Sequence, residues 1–234
     1  MGLKESGLRG SLRNVSVGID AIPDAVIEQF DAGNLDGYEG DTSFFSITQS
    51  NTLVGDNALI NDDQSSNNQI IINPNLDNTP ERGDEWAFFA EWGIMDMGAM
   101  FAYSSDSANY IVGAIDDDGS GDEVLRIYKD SKGAGDDVIA SDTISDPADD
   151  VEWVEFFVEF GSQNVANEEI RATVFEITNE DGDPSGIPPF NRGSQLAQTT
   201  ATDNEYDSGD FGWQVTQING DWIVDYALNY TKSE

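Results

Sequence analysis

Over most of this chain apolar and polar residues alternate in short runs, and Gly, Asn, Asp and Pro separate the runs. Period-two alternation sends successive side chains to opposite faces of an extended backbone, so each run predicts a strand with one face in a core. The runs are TSFFSIT, ALINDD, NQIIINP, EWAFFAEW, GAMFAYSS, NYIVGAI, EVLRIYK, DVIASDT, VEWVEFFVEF, EIRATVFEI, SQLAQTT, DFGWQVT and DWIVDYALNYT. The clearest is EIRATVFEI. There Ile170, Ala172, Val174 and Glu176 share one face, and Arg171, Thr173, Phe175 and Ile177 share the other. The length of VEWVEFFVEF predicts a central strand with Trp153, Phe157 and Val151 on one side. Strands in this number, joined by turn residues, predict an all-β, two-layer antiparallel sandwich, a jelly roll or a related arrangement.

Helical patterning is scarce. IPDAVIEQF (22–30) fits one or two helical turns capped by Asp24, or an edge strand entering a sheet. Residues 63–69 and 179–194 are loops, and the second holds three of the seven prolines. A loop that long is either a solvated insertion or functional. These patterns divide the chain into an N-terminal arm, 1–20, and one sandwich domain, 21–234.

Charge separates the same two parts. The formal net charge is −36, yet the first 19 residues carry three basic residues against one acidic. Carboxylates at this density repel one another in dilute buffer, where the Debye length is roughly 10 Å, and are screened at molar salt, where it is about 3 Å. The acidic residues are dispersed between apolar ones, so the composition is that of a folded domain with an acidic coat, as expected of a protein from a high-salt habitat. In the arm, Leu8, Arg9, Leu12, Arg13 and Val15 are the candidate contact residues for a partner or a neighbouring subunit. A frayed terminal tail is the alternative.

Composition also excludes chemistry. The acidic field opposes phosphate binding, which argues against nucleic acid. No apolar run is long enough to span a bilayer. The N-terminus lacks the apolar core of a secretory signal, so the expectation is a chain not exported by that route, or a mature form. Without Cys or His there are no disulfides, no thiolate zinc sites and no Ser/His/Asp triad.

The second half carries a denser string: Leu196-Ala197, then Asp203, Tyr206, Ser208-Gly209 and Phe211-Gly212-Trp213, before a closing WIVDYALNY. With FAYSSDSANYIVGAI and VEWVEFFVEF ahead of it, this resembles the concanavalin A-like, laminin-G-like jelly-roll domains. The resemblance spans roughly residues 26 to 231 and is carried mainly from Phe101 onward. Combined with the acidity, it is similar to domains of haloarchaeal surface proteins and haloarchaeal-virus virion proteins.

Three candidate sites follow. In AIDDDGSGDEVLRI, the carboxylates Asp116, Asp118 and Asp122 around two glycines could hold calcium, although the EF-hand spacing is absent and a plain hairpin turn explains the same residues. No other cofactor is expected. For carbohydrate, Trp92, Tyr103 and Tyr110 are candidate platforms, with core packing as the alternative for each. For hydrolysis, the glucanase branch of this architecture uses a Glu-x-Asp-x-x-Glu strand. The nearest stretch, EWGIMDMGAMF, puts Glu91 and Asp96 five apart, hence on opposite faces, with no second Glu following. No catalytic residues are therefore expected, and the chain is expected not to be an enzyme. Asn14 and Asn229 head Asn-x-Ser/Thr sequons.

The resemblance, the acidity and the arm together imply a virion structural protein of a halophilic archaeal virus, exposed on the head or tail. The arm would contact other virion proteins, the jelly roll would face host surface glycans or glycoprotein, and the assembly would be a homo-oligomer. The alternative is a cellular carbohydrate-binding or carbohydrate-processing domain, extracellular or on the surface of a halophilic archaeon.

Overall fold

The computed structural model describes residues 26–233 apart from 31, 50–51, 54–56, 62–68, 94–96, 105–108, 117–122, 130–136, 149–150, 179–191 and 216–221. Each of the predicted runs forms a strand. The strands are β1 (Val26–Glu28), β2 (Glu39–Gly40), β3 (Phe45–Thr48), β4 (Ala58–Asn61), β5 (Gln69–Asn73), β6 (Glu85–Glu91), β7 (Met97–Tyr103) and β8 (Tyr110–Asp116). They continue with β9 (Glu123–Lys129), β10 (Asp137–Thr143), β11 (Trp153–Phe160), β12 (Glu169–Ile177), β13 (Arg192–Thr202), β14 (Asp210–Val215) and β15 (Trp222–Asn229). Within the 22–30 segment, Val26–Glu28 forms the edge strand β1, while Thr42–Phe44 makes a short 3-10 turn ahead of β3.

The strands form two antiparallel sheets. One has eight strands in the order β13-β12-β11-β6-β15-β4-β3, with β1 also pairing β15; the other has seven, in the order β10-β9-β8-β7-β14-β5-β2. They face each other as a sandwich of jelly-roll type, as the alternation predicts. β13 and β10 are edges of different sheets, and they are tied together by the Ser145 N–H to the Leu196 carbonyl (3.1 Å) and the Gln198 N–H to the Asp142 carboxylate (3.0 Å). That contact covers two edges that would otherwise be open to pairing with another chain.

The core between the sheets is aromatic. Trp86 and Phe88 on β6 and Phe156 and Phe160 on β11 meet Phe101, Tyr110, Phe211 and Trp213 from the other sheet, and all eight are fully buried. Phe88 stacks on Phe156 with centroids 4.6 Å apart, and Trp86 meets Phe101 edge-on at 4.9 Å. Edge-to-face and offset contacts of this kind add to the area buried.

The faces of β12 follow the alternation. Ile170, Ala172 and Val174 enter the core. Glu176, next on that face, lies at the rim and accepts the backbone N–H groups of Ser194 (2.9 Å) and Ala148 (3.0 Å). β11 is central, between β12 and β6. Val151 does not side with Trp153 and Phe157: those two pack outside the sheet, whereas Val151 packs against the inner core. It precedes the strand, in a turn closed by its N–H on the Ala148 carbonyl (3.0 Å), so strand alternation does not reach it.

Candidate functional site

The outer face of the seven-stranded sheet is shaped by one irregularity. Along β7, Ala99 points to the core and Met100 away from it, and Phe101 returns to the core. Ala102 then also packs in the core, with φ at 53°, so Tyr103 emerges on the outer side beside Met100, Ile111, Tyr128, Ile70 and Ile72. The pairing records the extra residue, since Gly212 faces Met100 but Asp210 faces Tyr103. This is a β-bulge, which re-aims the side chain that follows it. Gly209 makes room for it, because a Cβ there would stand 2.6 Å from the Ala102 carbonyl carbon.

Toward the other end of β7 the same face carries glycines but is covered: a Cβ at Gly98 would clash with the Ile111 side chain, and Met100, Ile111 and Gln214 are fully buried. Gly98 pairs with Gly113 across β7 and β8, and Gly212 lies on the neighbouring strand β14. Arg126 and Tyr128 on β9 and Gln214 on β14 share the face by alternation with the core residues Leu125, Ile127 and Trp213. Tyr103 and Arg126 are half-exposed. Asn109 immediately precedes β8. It is fully buried, and neither its Nδ2 nor its Oδ1 has a hydrogen-bond partner.

The loop behind the bulge contains the residues of the sequence motif, and it is clamped from three sides. Arg82 bonds Asp207 through Nε (2.7 Å) and the carbonyls of Asn167 (2.7 Å), Tyr206 (2.8 Å) and Asp203 (3.2 Å), with its guanidinium 4.4 Å over the Phe160 ring. Lys129 pairs with Asp203 at 2.7 Å and with Glu205 at 2.5 Å. The Tyr110 hydroxyl donates to the Asp203 carboxylate. Burial opposes ionisation of Asp203, but the hydrogen bonds from Lys129 and Tyr110 outweigh it and hold the carboxyl below its ordinary range. Burial, together with that carboxylate, pushes the Tyr110 hydroxyl up to about 12.

The outer face of the eight-stranded sheet is committed to structure. Arg192 forks onto the buried Glu155, which also accepts the Tyr230 hydroxyl at 2.8 Å. The guanidinium lies 4.2 Å from the Phe157 ring and 4.9 Å from that of Phe175. Arg171 bonds Glu159 in the same forked way.

The three expected carbohydrate platforms do not come together. Tyr103 stands on the outer face just described. Tyr110 is corrected to a core residue: it is fully buried, its ring meets Phe101 at 5.6 Å and Phe160 at 5.8 Å, and its hydroxyl is bound to Asp203. Alternation alone could not show this, because it does not say which face of a two-faced strand is the inner one. Trp92 follows β6 in the opposite sheet, half-buried against the core, with its backbone N–H on the Glu152 carbonyl (2.6 Å). Of the calcium candidates, Asp116 has its backbone paired with Glu123 at the end of the β8–β9 hairpin; its side chain, Asp118 and Asp122 lie outside the described residues. So do Asp96 and the arm residues Leu8, Arg9, Leu12, Arg13 and Val15. Among the described residues no group of three or more acidic side chains is gathered to hold a metal. Sequence reasoning missed Asp210, because its pairing with Tyr103 depends on a bulge that alternation does not show.

No protein-family model matches the chain, and no curated protein matches it. Among solved structures it is similar to a GH43 glycoside hydrolase engineered to display both endo-xylanase and exo-arabinofuranosidase activity, with 13% identity and a TM-score of 0.46 over 93% of this chain and 42% of that one. It is also similar to a bifunctional GH43-CE protein of Bacteroides eggerthii, with 10% identity and a TM-score of 0.35 over 82% of this chain and 23% of that one. The chain thus spans less than half of either. The expectation that the chain is not an enzyme is withdrawn, because it rested on one missing sequence pattern. The physical reason is that a missing Glu-x-Asp-x-x-Glu strand excludes one arrangement of carboxylates and no other. The likeness is one of fold, and no catalytic residue is carried over from it.

Proposed function

We propose that the chain is a carbohydrate-binding or carbohydrate-processing domain of a halophile, and that its glycan face is the outer side of the seven-stranded sheet. The observation that carries this reading is the bulge at Ala102, which turns Tyr103 out onto that face, where it is half-exposed. An aromatic side chain stacks on the apolar side of a sugar ring, and the half-exposed Arg126 on the same face can donate to hydroxyls. The charge of −36 supports a setting at molar salt.

The test is a glycan array at molar salt, with a parallel assay for release of reducing ends. The expected result is retention of one class of polysaccharide, weakened at least ten-fold in Tyr103→Ala. Neither binding nor turnover on any class rejects the reading.

A second reading places the same domain on a halophilic virus particle, as a homo-oligomeric part of the virion surface. It is favoured by the arm, where three basic residues stand against one acidic in the first 19 of an otherwise acidic chain. Basic side chains and apolar Leu8, Leu12 and Val15 suit an acidic docking partner, with the apolar groups dominant at high salt. Particles that incorporate residues 20–234 as well as the whole chain would remove the anchoring role.

A further inference from the structure

We propose that Asp210 is the specificity-determining partner of Tyr103 on the glycan face, its carboxylate accepting hydrogen bonds from adjacent free hydroxyls of the sugar ring that stacks on the tyrosine. This rests on the carbohydrate reading above and deepens it.

Asp210 opens β14 and pairs directly with Tyr103 on β7. Residues directly opposite in an antiparallel pair share a face, with Cβ atoms about 4.5–5.5 Å apart. That face is the outer one, since Phe211, Trp213 and Val215 alternate into the core and Tyr103 packs beside Ile111 and Tyr128. The bulge makes this pairing. Between Met100 and Tyr103, β7 has Phe101 and Ala102, whereas β14 has Phe211 alone between Gly212 and Asp210. A regular register would set Ala102 opposite Asp210 and leave Tyr103 on the other side of the sheet.

Exposure narrows the site to this end of the face. Met100, Ile111, Tyr128 and Gln214 are buried. Tyr103 and Asp210 are half-exposed, and Ser104 and Ser208, next to them along the chain, are exposed. Charge then separates Asp210 from the acidic residues just before it. Lys129 holds Asp203 and Glu205, and Arg82 holds Asp207, which fixes the loop. Asp210 lies outside both clamps, so its carboxylate is not committed to the loop's own structure.

The chemistry matches one ligand class. An ionised carboxylate accepts hydrogen bonds at two oxygens and donates none, and such charge-assisted bonds are stronger than neutral ones. Two hydroxyls on adjacent ring carbons supply two donors. With the apolar side of the ring on Tyr103, its hydroxyl edge meets the residue across the strand pair. A hydroxyl read in this way cannot be replaced by a group that only accepts.

The test uses the full chain at molar salt, with xylohexaose, cellohexaose and arabinohexaose as probes. Deoxy and deoxyfluoro analogues of the best binder at each ring hydroxyl follow; fluorine keeps a weak acceptor and loses the donor. At one or two positions both analogues should bind wild type at least about ten-fold more weakly than the intact sugar, and alike. Asp210→Ala should weaken the intact sugar about ten-fold with an unchanged thermal midpoint, and the penalty at those positions should vanish. If D210A does not fold, D210N decides: it keeps the shape, loses the charge and gains a donor, so the fluoro penalty should shrink. A variant that binds and discriminates like wild type overturns the proposal. So does a fluoro analogue bound as tightly as the intact sugar at every position, which would mean that the protein donates there. An equal loss on every analogue with a lowered midpoint in D210N also overturns it, as the mark of a structural role. Wild type that binds none of the probes overturns instead the carbohydrate reading beneath it.

Discussion

Gly209 lies against the bulge that turns Tyr103 outward: a Cβ at 209 would stand 2.6 Å from the Ala102 carbonyl carbon and 2.7 Å from the Tyr103 nitrogen. Both are backbone atoms, so a side-chain rotation cannot relieve the clash. Gly209→Ala should therefore destabilise the sandwich by about 1–3 kcal/mol, the usual cost of overpacking. It should also weaken glycan binding, because the strand must shift where Tyr103 leaves it. Denaturant unfolding and glycan affinity, both at fixed molar salt, check this; an unchanged midpoint would show that the bulge does not depend on Gly209.

Arg192 and Glu155 predict a different response. Arg192→Ala leaves a carboxylate only 3% exposed without its cation, and should cost about 3 kcal/mol. The double variant R192M/E155L should recover most of that, since apolar groups of similar volume replace the buried pair at little net cost. Asp207, 73% exposed opposite Arg82, offers the contrast, and D207A should cost under about 1 kcal/mol, less still as salt rises. Urea midpoints for the three variants at two salt concentrations separate these outcomes.

The Tyr110–Asp203 bond predicts a pH window. Asp203 is held below its ordinary value, so its contribution is complete above about pH 4 and is lost as pH falls through the folded value. Tyr110 is raised from 10.0 to about 12, so its contribution is complete below pH 10 and is lost between pH 10 and about 12. Stability at fixed salt should fall at both ends. Y110F should flatten the alkaline limb, and D203N should blunt both. An alkaline limb unchanged in Y110F would assign that loss to other groups.

Asn229 heads a sequon, but its side chain is fully buried, donating to the Asp84 carboxylate at 2.7 Å and the Asn78 carbonyl at 3.1 Å. A glycan on Nδ2 would replace one of these two N–H donors and would have to fit into a fully buried site. Intact-mass analysis of chain made in a glycosylating host should show residue 229 unmodified, and N229A should be destabilised by about 1–3 kcal/mol through the lost bonds to Asp84 and Asn78.

The alternation in EIRATVFEI made its two faces legible, and the length of VEWVEFFVEF made its central place legible, because both depend on side-chain direction along a single strand. Tyr110 and Tyr103 were not separable in that way. Both stand in apolar runs with polar neighbours, yet one is sealed against Phe101 and Phe160 and the other stands on the outer face. Strict alternation from Phe101 would even send Tyr103 inward, and it takes the extra residue at Ala102 to reverse it. Arg82 gave no local signal either, since the hydrogen-bond partners of its side chain lie between 85 and 125 residues away along the chain.

The order of residues by itself determined that this chain makes strands, where most of them begin and end, that it lacks thiol and imidazole chemistry, and that its coat is acidic. These follow from local periodicity and composition. Which sheet each strand joined, which tyrosine stayed outside, and why Asp203, Tyr206 and Gly209 recur as a motif were decided only by tertiary structure. Those features depend on contacts between residues far apart in the chain, and on one bulge whose effect is to change which side of a sheet the following residue occupies.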